Sequence, residues 1–310
     1  MRRKGTQAAL LAALCLCLCA CSKTTVLPQS GSPPPAAAVT AQPLPARPEP
    51  GRRPDYEDVR VYFDGLLTDR GYLVGDTVYL SPETVCGFFG VELNTEEGPE
   101  ILVSAQGLEL RMAAGQEYMT ANGRYLYTPY GCLMADGRVY IPADAIERVF
   151  GVQVQSMGDL QHVEIAGGGV TFIEGGENYY ESAYPSEDLF WLSRIIYAEA
   201  RNEPLAGLIG VGNVVLNRVE SPDFPSTVYT VVFDREFTVQ FEPISTGGVY
   251  DEPDESSLIA AYLALEGYST VGDSLYFVNP AKGANPWFDE ALVPVITIGQ
   301  HHFYTSPAVG

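Results

Sequence analysis

Apolar residues recur at helical spacing after Ser186: Leu189, Leu192, Ile195 and Ile196 share one stripe, and Glu199 extends it. Ser186 reads as the N-cap, with Glu187 and Asp188 in the first turn. A second amphipathic helix follows Arg201-Asn202-Glu203-Pro204, with Pro204 at its first position and Leu205, Leu208, Ile209, Gly212, Val215, Leu216 and Val219 on one side. Two such helices bury Glu199 between them. Ser221-Pro222-Asp223-Phe224-Pro225 reads as a turn, and a third helix runs from Asp254 to about Glu266 and ends at Gly267. Ser274 to Val278 and Val293 to Tyr304 read as strands around an Asn279-Pro280 turn.

The pattern upstream is different. Between about Val59 and Ile165, Val78–Val91 matches Val139–Val152 without a gap, sharing Val, Tyr, Phe, Gly and Val in register. Each copy reads as a short strand, a helix with an acid near its start, then Phe-Gly and another strand. Alternating segments at Ile101 to Val103, Leu108 to Met112 and Arg124 to Tyr127 predict further strands between the copies. Gly167-Gly168-Gly169 and Gly175-Gly176 bracket a flexible join that runs through Tyr179, Tyr180 and Tyr184 to Ser186.

The N-terminal segment belongs to neither pattern. Arg2, Arg3 and Lys4 precede an apolar core from Ala8 to Ala20 that is too short for a stable membrane span, the layout of an export signal. Its end, Leu18-Cys19-Ala20-Cys21, resembles the lipobox of bacterial lipoproteins, which implies that Cys21 becomes a lipid-bearing N-terminus. From Ser22 to about Pro54 the chain is rich in Pro, Ala and Ser and cannot bury a core, so it predicts an extended tether. Of six cysteines, Cys15, Cys17 and Cys19 leave with the signal; Cys86 and Cys132 then allow one bridge or two small buried thiols.

Charge removes several functions. The formal net charge of −21 becomes −24 once the three basic residues of the signal are lost (−21 − 3). A surface this acidic repels nucleic acid and anionic lipid headgroups. No His-Glu-x-x-His, Cys-x-x-Cys or Gly-rich phosphate loop occurs, so neither a metal nor another cofactor is implied.

Glu199 is then the residue to explain. An ionised carboxylate in apolar surroundings is costly, so it holds its proton more tightly, and a protonated glutamic acid can prime a glycosidic bond for cleavage. The plainer alternative is a structural glutamate paired with Arg194 or Arg218, or one at the wet edge of the stripe.

Six blocks sharpen this reading. Ile196-Tyr-Ala-Glu-Ala-Arg-Asn-Glu-Pro204, Val214-Val-Leu-Asn-Arg-Val219, Ser221-Pro-Asp-Phe-Pro225, Val239-Gln-Phe-Glu-Pro243, Tyr276-Phe-Val-Asn-Pro280 and Ile298-Gly-Gln-His-His-Phe-Tyr304 resemble, in order, the bacterial spore-cortex-lytic cell wall hydrolase family. That resemblance implies a lysozyme-like fold, cleavage of peptidoglycan glycan strands, and Glu199 as catalytic acid. Asn217, Arg218, Gln240, Glu242, Asn279 and His301 become supporting or substrate-binding candidates, each with a structural alternative: a cap, a salt bridge, a loop amide, a solvated acid or a buried histidine. Trp191, Tyr276, Trp287 and Phe288 are candidate sugar platforms, or core. The repeat unit resembles the stalk domain also called the copper amine oxidase N-terminal-like domain, although His162 is its only histidine and offers no copper site.

The expectation is an α+β protein: signal peptide 1–20, tether 21–56, stalk domain 57–166 with its internal repeat, linker 167–186, and a lysozyme-like catalytic domain 187–305. Its expected role is cleavage of peptidoglycan by a lytic transglycosylase or muramidase held at the outer face of the membrane by a lipid on Cys21. The stalk provides a possible contact to wall or protein. An inactive wall-binding scaffold and a stem-peptide amidase are the alternatives.

Overall fold

The computed structural model describes residues 56–175, 185–234, 241–282 and 286–307, with the side chain of Glu242 excepted. The expected signal peptide and nearly all of the tether, with Cys21, therefore lie outside the described residues, as do Tyr179, Tyr180, Tyr184 and Gln240. Two compact units emerge, and their main boundary falls between Ser186 and Glu187. Both mix helix and strand, so the α+β expectation holds for each.

In the first unit, β1 (Glu57–Phe63), β2 (Leu66–Val74), β3 (Thr77–Leu80), β9 (Leu133–Ala135), β10 (Arg138–Pro142), β11 (Gln153–Ser156) and β12 (His162–Ala166) form one sheet in the order β11-β12-β1-β2-β3-β10-β9. Only the β1–β12 pairing is parallel. The two copies of the repeat meet here. β3 and β10 pair antiparallel through Ile141 and Leu80, and each leads into a helix, α1 (Pro82–Phe88) or α2 (Ala143–Phe150). Equivalent repeat positions are core: Tyr79 and Tyr140, and Val85 and Ile146, are fully buried. β4 (Asn94–Glu96), β5 (Glu100–Ala105), β6 (Leu108–Ala113), β7 (Tyr118–Ala121) and β8 (Arg124–Tyr127) build a second, antiparallel sheet between the copies. Cys86 and Cys132 are both free thiols.

The expected flexible join begins later than its glycines suggest. Thr171 N–H donates to Phe150 O and Ile173 N–H to Val149 O, each at 2.8 Å, while Phe172 packs edge-on against Phe150. The segment thus caps α2, because the last carbonyls of a helix need donors and these backbone amides supply them.

The second unit is mainly helical, with α3 (Ser186–Ala200), α4 (Leu205–Glu220), the short α5 (Val228–Val232) and α6 (Glu242–Thr246), α7 (Glu255–Leu265) and α8 (Trp287–Ala291). Ser186 is the first helical residue, and Pro204 is the N-cap of α4 with extended backbone, one position earlier than its pattern predicts. The α4 helix is buried on nearly every side because Gly210 lets it approach its neighbours: a Cβ there would stand 2.7 Å from Val271 and 3.0 Å from Phe303. The predicted strand over 293–304 is a hairpin, β14 (Val293–Ile298) and β15 (His301–Thr305), turning at Gly299-Gln300; β15 also pairs with β13 (Tyr276–Val278). A continuous run of β-formers hides such a turn, and the positive φ of 58° at Gly299 allows it.

Phe150 is fully buried and anchors both α2 and the segment after β12. Phe150→Ala should lower the unfolding free energy of the stalk unit by about 3–5 kcal/mol, as buried Phe-to-Ala changes do. Denaturant unfolding checks this, with half-exposed Phe88→Ala expected to cost clearly less.

Candidate active site

Glu199 sits in the last turn of α3. Leu192, Ile195 and Ile196 are buried as the stripe predicts, but Glu199 itself is half-buried, not enclosed between two helices. The helix ends at Ala200, and Arg201 and Asn202 lie exposed beyond it, so this final turn opens towards solvent. Arg194 is committed elsewhere: it reaches Glu252 at 2.6 Å and lies over the Phe190 ring at 3.7 Å.

Arg218, in the last turn of α4, is the more unusual group. It is 5% exposed, its Nε donates to Leu275 O at 2.8 Å, and its guanidinium lies over Phe224, Phe241 and Tyr276 at 5.0, 5.3 and 5.7 Å. Its Nη1 has no hydrogen-bond partner among the described residues. A buried orphan donor is costly; the ring faces recover part of that cost as cation–π attraction. Burial pulls the guanidinium pKa down to about 10, opposed by the electrostatic influence of Tyr276, Asp234 and Glu199. It therefore remains a cation at neutral pH. The Asn217 amide donates to Gly272 O and Ser274 O at 2.8 and 2.9 Å. With Arg218 it pins the segment before β13 to α4, which sets Tyr276 beside the guanidinium.

A second buried carboxylate was not apparent in the sequence. The side chain of Glu203 is 5% exposed; its Oε2 accepts from the Gln300 N–H at 2.8 Å, and its Oε1 stands 3.7 Å from His301 Nδ1. The approach is so close that a Cβ on Gly299 would fall 1.9 Å from Oε2. His301 is 1% exposed and meets Phe277 edge-on at 5.2 Å. Burial lowers its pKa, opposed by Glu203 and aided by Lys282 and His302, so the ring is neutral near pH 7. His301 thus belongs to the core of the hairpin. Asn279 reaches the same turn, donating from Nδ2 to Gln300 Oε1 at 3.5 Å.

The other candidates scatter. Glu242 opens α6, and Gln240 lies outside the described residues. Tyr276 neighbours Trp287 at 6.1 Å, and Trp287 meets Phe288 at 5.5 Å, giving one aromatic group near Arg218. Trp191 packs instead among Phe190, Tyr229, Phe233 and Tyr250. Asp234 was also missed. It closes a Val-Val-Phe-Asp stretch that looks like an ordinary helix end, and only the fold brings its charge to bear on Arg218.

Residues 202–304 match the cell wall hydrolase family, and residues 66–165 match the copper amine oxidase N-terminal domain. The second unit thus carries a cell wall hydrolase domain. Arg218, Asn279 and His301 fall inside the hydrolase match, and Glu199 lies three residues before its start. The spore cortex-lytic enzyme of Bacillus subtilis is 32% identical over 120 residues, 39% of this chain and 38% of the relative. That of Bacillus cereus is 33% identical over 123 residues, 39% of this chain and 46% of the relative. The chain thus spans less than half the length of these curated relatives. Among solved structures, the catalytic domain of the germination-specific lytic transglycosylase SleB from Bacillus anthracis is 31% identical, covering 40% of this chain and 98% of that one, with a TM-score of 0.37. The Bacillus cereus SleB catalytic domain is 32% identical, covering 45% and 100%, with a TM-score of 0.36.

His301 gives the hydrolase domain a pH-dependent stability. Its folded pKa lies below the ordinary 6.5, so the unfolded chain binds the extra proton first as pH falls. The contribution is complete above about pH 6.5 and is lost progressively below it. Melting curves between pH 7.5 and 5 should show wild type losing stability faster than His301→Gln on acidification; parallel curves would contradict a buried neutral imidazole.

Proposed function

We propose that this protein cleaves the glycan strands of peptidoglycan, with Glu199 as general acid and then base. The observation that carries the proposal is the half-buried Glu199 at the open end of α3, with its charge acting on the buried cation Arg218. A general acid is left as a carboxylate once it has given up its proton, and the nearby Arg218 guanidinium stabilises that carboxylate. The match to cell wall hydrolases supports the substrate class, and the Glu-Ala-Arg motif supports the choice of Glu199.

Asn217 and Arg218 act as positioning residues, holding the segment before β13 on α4 and Tyr276 beside the guanidinium. Asn279, Gln240 and Glu242 are substrate-binding or supporting residues in this reading. The protein needs no cofactor for this chemistry. Export and a lipid on Cys21 would hold it at the outer face of the membrane, facing the wall, and the stalk unit would provide reach or a wall contact.

The favoured product follows from how few groups the reaction needs. Attack by the C6 hydroxyl of the muramic acid residue itself requires one acid/base and gives 1,6-anhydro ends. The second reading is hydrolysis. Asp234, whose charge also acts on Arg218, favours it as a carboxylate able to activate water.

Glu199→Gln keeps the shape and removes the proton, so activity on purified peptidoglycan should fall roughly 10²- to 10⁴-fold with folding unchanged. Near-normal turnover would end the assignment. Mass analysis of the wild-type fragments should find 1,6-anhydromuramic ends; reducing ends that vanish in Asp234→Asn would establish the hydrolytic reading.

Anchoring is separable. Cys21→Ala should release the protein from membranes while the activity of the soluble fraction stays constant, checked by fractionation and by the mass of the mature N-terminus.

A further inference from the structure

The stalk unit carries a charge arrangement that nothing in the hydrolase chemistry uses. Along β1, Val59, Val61 and Phe63 turn into the core, so Asp58 and Arg60 turn outward. Antiparallel pairing then sets Arg60 directly opposite Arg70, and the parallel pairing sets Arg60 beside His162. Like charges directly opposed across two strands repel each other and cost stability. The chain has 39 acidic residues against 18 Lys and Arg, so composition alone would favour an acid at either position.

The nearby acids are already committed. Asp58 lies 3.6 Å from Arg70, and Asp136 accepts from the Tyr72 hydroxyl at 3.3 Å. Asp69 holds Arg138 through two bonds at 2.6 and 3.2 Å and accepts from the Thr84 hydroxyl. Arg60 donates from Nη1 to His162 Nε2 at 3.0 Å. A guanidinium cannot accept a hydrogen bond, so the imidazole carries its proton on Nδ1, 2.7 Å from Asp159. Among the described residues, Arg60 therefore pairs with an imidazole and no carboxylate.

Arg60, Arg70 and Arg138 line one open cleft of ≈ 610 Å³, a volume in the range of ligand sites. Arg138 is fixed by Asp69, so a ligand need not order it, and the opposed pair Arg60 and Arg70 gains from any anion placed between them. We infer that this cleft binds an anionic group of a cell-wall polymer, a carboxylate or a phosphate, bridged by Arg60 and Arg70 with Arg138 as the fixed third cation. Asp58, Asp69 and Asp136 line the same cleft, with Asp58 on Arg70 and Asp69 on Arg138, so Arg60 is the cation left without a carboxylate for an incoming anion to meet.

The choice of wall polymers rests on the proposed function, but the test scores binding and needs no cleavage. The full mature chain carrying Glu199→Gln is titrated calorimetrically with two probes, a soluble muramyl tetrapeptide with free carboxylates and a glycerol phosphate oligomer. At least one should bind, more weakly as salt rises, and Arg60→Ala/Arg70→Ala should weaken that binding by roughly 10-fold or more. Response to the first probe identifies a peptidoglycan carboxylate, and response to the second a polymer phosphate. Arg60→Ala alone should keep or raise the melting temperature, because it relieves the opposed charges. Binding of neither probe, unchanged binding by the double variant, or a lower melting temperature for Arg60→Ala would overturn the inference. None of these results bears on Glu199, and an active Glu199→Gln enzyme would leave this site standing.

Discussion

The hydrolase unit is organised around one buried cation. Arg218 is held by a single backbone carbonyl and three aromatic faces, and its charge meets those of Glu199 and Asp234, which come from different parts of the chain. A guanidinium so placed is expensive to desolvate unless negative groups remain within its reach. The fold therefore gains from keeping α3, α4, the Asp234 segment and β13 together, which keeps the charge of Glu199 within reach of the guanidinium.

Much of this was legible because the helices follow simple periodicity. The stripe Leu192, Ile195, Ile196 is buried as its spacing predicts, and the third helix begins where Asp254 caps it, accepting from Ser257 N–H at 2.8 Å. The repeat in the stalk unit was legible too, since Tyr79 and Tyr140 occupy equivalent buried positions. The site was legible only in part. The motif pointed to Glu199, but its half-burial depends on where α3 stops, a boundary that one or two residues of local preference decide.

What escaped the sequence depends on contacts between distant positions. Glu203 reads as a turn acid in Arg-Asn-Glu-Pro, and only the fold of the hairpin brings the Gln300 amide onto it. Thr171 and Ile173 read as linker between glycines, yet their amides complete the end of a helix formed about twenty residues earlier. In each case a backbone donor is satisfied by a partner that no local pattern can name.

The contact between Glu203 and Gly299 also constrains how this sequence can change over time. With the carboxylate in place, position 299 has no room for even one methyl group, and its positive φ disfavours side chains as well. Shortening the acid would relieve the closest approach and leave the 3.0 Å approach of Pro204 Cδ and the positive φ. The two positions, almost a hundred residues apart, are thus coupled: a side chain at 299 would have to displace the Glu203 carboxylate and so break its bond to the Gln300 amide.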